Sequence, residues 1–259
     1  MIENKKKILF FVVLLVLIYF AITILLKFPR EKKYVGTVFI GSSTKIYINN
    51  NDIKISNEND KISNQKVKVI FNNGTVDGYI TSTEPDSSGV KYGYVLYDTN
   101  GRKISLNSTL VAYTDDMSIK IKEFNKIEST NLTEVYSILK KNNITVSTES
   151  KLGYFYITIV DINNDGIDDY VYSIGLIEDK NKFNSLIITK IDDEYFLVDR
   201  VESNYDEISN IRLNFFRMID LNNDDKYEFV VEKSMSEYGP YYYDVYSFDG
   251  LTFNKIGGE

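Results

Sequence analysis

The chain has 259 residues, a formal net charge of −7, and no Cys, His or Trp. Disulfides, thiolate or imidazole metal ligands, and every catalytic scheme built on Cys or His are therefore excluded. Asp, Glu and Asn are plentiful, so oxygen ligation of a hard cation stays open while zinc does not.

The first segment is physically distinct. Residues 8–26, "ILFFVVLLVLIYFAITILL", carry no charge. At about 1.5 Å per residue this run spans roughly 30 Å as a helix, the thickness of a bilayer core. Lys5, Lys6 and Lys7 precede it, and Lys27, Arg30, Lys32 and Lys33 follow. No small-residue cleavage site follows, and there is no Cys for lipid attachment. The reading is an uncleaved single-pass signal-anchor in residues 1–33. Basic residues flank both ends, so the charge rule for orientation is nearly balanced. The short N-terminal tail places the remainder outside the cytoplasm. Residues 1–33 hold 7 Lys+Arg and 2 Asp+Glu, leaving 23 basic and 35 acidic residues, a net charge of −12, for residues 34–259. Such a surface repels phosphate backbones, which disfavours nucleic acid as a partner, and attracts cations.

Residues 34–117 are a series of short alternating runs, among them "TKIYINN", "DIKIS" and "KVKVIFNN". Asn73-Gly74 and Asn100-Gly101 are tight-turn dipeptides. "ENDKISNQ" and "EPDSSG" read as exposed loops. The expected unit is a small all-β domain, barrel-like around "KVKVIFNNGTVDGYI".

Residues 118–147 read as a connecting segment with a helix at about 131–141. Asn131 can cap it with Glu134 in the reciprocal position. Leu132, Val135, Ile138 and Leu139 form one apolar stripe.

Residues 148–259 contain an internal repeat. "YITIVDINNDGIDDYVYS" aligns with "FFRMIDLNNDDKYEFVVE", placing Asp161 over Asp220, 59 residues later. Farther on, "IITKIDDEYF" corresponds to "DVYSFDGLTF". Each unit reads as strand, acidic loop, strand, variable loop, strand, tight turn, strand. The expectation is a mainly β chain ending in two four-stranded antiparallel sheets, packed as a compact pair or continued against the N-terminal β domain.

The acidic loops carry the chemistry. In an Asx-rich loop, side chains at positions 1, 3 and 5, a carbonyl at 7 and a carboxylate at 9 can converge on a hard cation, and Gly at 6 permits the sharp turn. The first loop supplies Asp161, Asn163, Asp165, the Ile167 carbonyl and Asp169. Asp168 would point away. An EF-hand also needs Glu at position 12, where Tyr172 stands, and helices on both sides, where strands are expected. The second loop supplies Asp220, Asn222, Asp224 and Glu228, with Asp225 at the Gly position and Lys226 beside it. Asn, Asp and Gly also make turns without any metal.

The pattern D-x-N-x-D-G-x-x-D before an apolar strand resembles the calcium loop of FG-GAP/VCBS repeats, as in integrin-α-type β-propellers. The resemblance covers residues 154–259. It implies blade-like sheets, Ca2+ at the 161–169 loop and more weakly at the 220–228 loop, and relatives that act in extracellular adhesion or ligand binding. Propellers close with about 4–8 blades, and only two units are visible here.

In "EYGPYYYDVY", Tyr241 and Tyr243 fall on one strand face and Tyr242 on the other. One ring is expected in the core, with the others over a strand edge. Three functions compete. The first is a membrane-anchored, calcium-stabilised, non-catalytic binding or adhesion module with a protein or glycan ligand. The second is a carbohydrate-binding or carbohydrate-cleaving surface protein. The third is a structural envelope scaffold.

Overall fold

A computed structural model of the chain describes residues 35–256 except 42–43, 51, 57–60, 72–73, 84–92, 105–110, 115–116, 148, 180–181, 205–209 and 235–240. By its contacts the chain divides into residues 1–33 and 34–259. The apolar run 8–26, residues 58–60 of "ENDKISNQ", all of "EPDSSG", Asn73 and the start of the Tyr-rich run lie outside the described residues. The rest of "ENDKISNQ" is not wholly exposed as expected, because Ile62 is buried in the core of the N-terminal sheet. Among the described residues no helix is long and apolar enough to cross a membrane.

The described chain is mainly antiparallel β with one helix. Its strands are β1 (Val35–Ile40), β2 (Thr44–Asn49), β3 (Asp52–Ser56), β4 (Gln65–Phe71), β5 (Gly74–Ser82), β6 (Tyr94–Asp98), β7 (Lys103–Ile104) and β8 (Val111–Thr114). These form one eight-stranded sheet in the order β3-β2-β1-β8-β4-β5-β6-β7. Among the described residues β3 and β7 are its edges, so hydrogen bonds do not close it there into the barrel-like form expected from the sequence. One face carries Phe39, Val67, Val69, Ile80, Tyr94 and Leu96 as a core of its own.

Two short strands follow, β9 (Lys120–Ile121) and β10 (Asn125–Glu128), then α1 (Leu132–Lys141). Asn131 caps α1, its side chain accepting from the Glu134 amide at 3.2 Å. The basic end, Lys140 and Lys141, suits the negative end of the helix dipole. Val135, Ile138 and Leu139 are buried.

The repeats form β11 (Lys151–Val160), β12 (Asp169–Asp179), β13 (Lys182–Ile191), β14 (Glu194–Asn204), then β15 (Arg212–Asp220), β16 (Glu228–Ser234), β17 (Tyr241–Phe248) and β18 (Phe253–Lys255). Each set of four is an antiparallel meander, but neither sheet stops at four strands. The orders are β10-β11-β12-β13-β14 and β18-β17-β16-β15-β9. The segment read as a connector thus lends an edge strand to both sheets. β9 joins the later repeat and β10 the earlier one. Strands of two and four residues, one ending in the exposed run Asn125–Glu128, carry too little periodicity to be seen in sequence.

The layers follow from alternation along the strands. Val171 and Ile187 of the β10–β14 sheet meet Leu213, Met218, Phe229 and Val231 of the β15 sheet. The opposite face of the β10–β14 sheet, with Tyr172, Ile174, Leu186 and Ile188, is covered by α1. The opposite face of the β15 sheet, with Ile219, Val230, Tyr243 and Val245, meets Val38, Ile40, Ile46 and Ile48 of the eight-stranded sheet. The two arrangements expected for the repeats therefore occur together. The β15 sheet is the middle layer, packed on the other repeat by one face and on the N-terminal sheet by the other. Tyr243 is fully buried there, whereas Tyr241 and Tyr242 are only partly covered.

Candidate metal centre

The two acidic loops occupy the same place in their sheets. Val160 pairs with Asp169 at the end of the β11–β12 hairpin, and Ile219 with Glu228 at the end of β15–β16. Their backbones match as well. Asn164 (φ 66°) and Gly166 (φ 86°) correspond to Asn223 (φ 58°) and Asp225 (φ 64°). Asp225 therefore takes the left-handed conformation that Gly166 adopts without penalty.

Most of the hydrogen bonding repeats as well, with the first amide taken by the leading aspartate shifted by one residue. Asp161 accepts the Asn164 amide at 2.7 Å on one oxygen and the Gly166 amide at 3.1 Å on the other. Asp220 accepts the Asp224 amide at 3.1 Å and the Asp225 amide at 3.2 Å. Asp165 accepts from the Ile167 amide at 2.7 Å, and Asp224 from the Lys226 amide at 2.9 Å. The Asn163 and Asn222 side-chain amides donate to Asp165 and Asp224 at 2.9 and 3.1 Å. At the far end, Asp169 accepts the Ile162 amide at 2.8 Å, and Glu228 the Leu221 amide at 2.9 Å. Asp168, by contrast, is exposed.

Burial sets the electrostatics. Asp169, Asp220 and Glu228 are buried. Desolvation raises all three carboxyls above the ordinary range, opposed in part by backbone amides. Glu228 is pushed up to about 7, with the nearby charges of Asp224 and Asp220 adding to the effect. Asp165 and Asp161 act on Asp169 in the same sense.

Residues outside the motif complete the site. The Lys122 ammonium donates to the Asp161 carbonyl and stands 3.6 Å from Asp161 Oδ2. The Lys120 ammonium pairs with Asp225 and stands 3.9 Å from Asp220 Oδ2. Asp192, in the β13–β14 turn, accepts from Asn163 at 3.4 Å. The only sequence signal for the lysines was the alternation in "KIK" of residues 120–122, which by itself reads as an ordinary solvated strand.

The donor set is all oxygen and suits a hard cation rather than a soft one. Asn222 Oδ1, at position 3 and thus the second ligand of the second loop, is buried with no hydrogen-bond partner among the described residues. An orphaned acceptor of this kind is expensive unless something donates to it or coordinates it. Among the described residues, no three Asp or Glu side chains converge as a complete metal shell. The carboxylates are turned toward backbone amides and the lysines. No family model, curated protein or solved structure matches the chain.

Proposed function

We propose that this chain is a membrane-anchored, extracytoplasmic binding or adhesion module whose two blade-like repeats are stabilised by Ca2+ and perform no catalysis. One observation carries the reading: two hairpin loops, 59 residues apart, repeat the same backbone turns and carboxylate positions around buried acids that repel one another. The first ion would be held by Asp161, Asn163, Asp165, Asp169 and the Ile167 carbonyl. The second would be held more weakly by Asp220, Asn222, Asp224 and Glu228. Ca2+ would supply the positive charge that a single lysine now supplies at each loop. The resemblance to FG-GAP/VCBS repeats supports an adhesive or ligand-binding role, and the uncharged run 8–26 supports the anchor.

The test is thermal unfolding of the full chain in neutral detergent, with chelator and with millimolar Ca2+. A calcium-dependent rise in Tm is expected, and Asp165→Ala should remove much of it. No rise at millimolar Ca2+ would sink the metal reading. Protease accessibility on whole cells tests the anchor and its orientation. Cleavage of residues 34–259 in intact cells is expected, and full protection overturns that part.

A further inference from the structure

Away from the acidic loops, a cavity of about 580 Å3 opens where the eight-stranded sheet meets the 119–124 segment and β15. Ile70, Val111, Ile119, Ile121 and Phe124 supply the apolar part of its lining, Thr75, Lys122 and Glu123 the polar part, and Arg217 lines it from β15. A β-bulge puts Arg217 there. β15 slips register between Phe215, paired with Val231, and Arg217, paired with Val230. Phe216 is the extra residue. Both Phe216 and the following Arg217 are thereby directed toward the N-terminal sheet, and re-aiming a side chain is a common consequence of such bulges.

Arg217 is half-buried, and its guanidinium lies 5.5 Å from the Phe124 ring and 5.8 Å from the Phe216 ring. Stacking of this kind leaves the in-plane N–H donors open. Among the described residues the Arg217 side chain has no ion pair and no hydrogen bond, in a chain whose residues 34–259 carry −12. Desolvation alone lowers its affinity for the proton, with no acid offsetting it. A desolvated guanidinium without an anion is costly. Most other basic side chains around the repeats are paired, Lys122 with Asp161 and Lys233 with Asp244.

We propose that this cavity binds a ligand bearing one carboxylate on an apolar body, with the Arg217 fork receiving the carboxylate. The volume suits a small organic molecule or the last residues of a peptide. Single charge follows from the walls. Lys122 is committed to Asp161, and Glu123 also lines the cavity, so among the described lining residues a dianion meets Arg217 as the one cation not already paired and Glu123 as an opposing acid. The carboxylate can come from a free organic acid or from a peptide C-terminus.

The test uses the full chain in neutral detergent with chelator present, so it is independent of the calcium reading. Fluorine NMR follows 4-fluorophenylacetate, its neutral amide, and acetyl-Gly-4-fluoro-Phe with a free or amidated C-terminus. Saturable binding of at least one acid is expected, with no binding of the matching amide. Which acid binds identifies the source. Arg217→Gln should weaken it by about tenfold or more. If Arg217→Gln does not fold, Arg217→Lys, which keeps the charge and loses the fork, should weaken it in the same direction. The proposal is overturned if neither acid binds, if acid and amide bind equally, if the Arg217 variants bind as the parent does, or if inorganic phosphate displaces the acid at equal concentration.

Discussion

Lys120 and Lys122 stand two residues apart in one segment, yet their ammonium groups go to different acidic loops, Lys120 to Asp225 and Asp220 and Lys122 to Asp161. The β9 segment thus sets one fixed positive charge at each repeat. Of the two, Lys122 is the more buried, its side chain 12% exposed. Lys122→Met leaves the first loop's carboxylates facing one another without that charge. In chelator the substitution should cost about 1–3 kcal/mol by urea denaturation. Calcium should restore most of it. Unchanged stability in chelator would show the lysine to be incidental.

Glycine at position 166 and aspartate at 225 make the same turn, at φ 86° and 64°. A Cβ at Gly166 would meet nothing within 4 Å, so Gly166→Ala reports backbone strain alone. It should lose about 1 kcal/mol. Asp225→Gly should change stability in the opposite direction, because the exposed Asp225 carboxylate gives up little when its ion pair is lost. Chemical denaturation of both variants checks the signs.

Tyr154 joins the two repeat sheets. Its hydroxyl donates to the Leu213 carbonyl at 2.9 Å, accepts from the Leu213 amide at 3.1 Å, and contacts Ser185 Oγ. Ser185 and Ser173 accept from the Leu213 and Phe215 amides at 2.8 and 3.0 Å. β9 pairs with β15 only at Ile219 and Asp220, so these hydroxyls take up amides that no strand reaches. Tyr154→Phe should cost about 1–2 kcal/mol. Gly175 makes room for the Tyr154 ring, which a Cβ would approach to 2.3 Å. Gly175→Ala should therefore be the more damaging change in the same denaturation series.

Glu232 provides a pH test away from the loops. Burial raises its carboxyl above the ordinary glutamate range, against a hydrogen bond from Tyr243 at 3.3 Å and the charge of Lys126. A raised acid holds its proton more tightly in the folded chain. Its contribution is therefore complete below the unfolded value and is lost as pH rises through the folded one. Glu232→Gln keeps an acceptor for Tyr243 and removes the titration. The Tm difference, variant minus parent, should be more positive at pH 8 than at pH 4. A flat difference would show that Glu232 ionises without penalty.

The repeat was legible because strand alternation and Asx turns are local signals. The 59-residue offset located both hairpins, and the Asn131 cap located α1. What escaped was long-range. Lys120 and Lys122 look like any solvated strand until β9 pairs with Asp220, 100 positions from Lys120. Arg217 reads as a surface residue until a bulge, invisible in "NFFRM", turns it toward another sheet. The eight-stranded sheet was readable only as β, since its order inserts β8 between β1 and β4.

The middle layer is also the one translated after its neighbours. β15–β18 come last among the described strands, yet they lie between the N-terminal sheet and the first repeat, and their edge strand β9 precedes them by some ninety residues. Both flanking layers must wait with apolar faces uncovered until β15 emerges. Pairings of such sequence separation are slow to form. A chain halted after β14 would present two sticky surfaces at once, so the vulnerable moment in this protein's life falls during its synthesis.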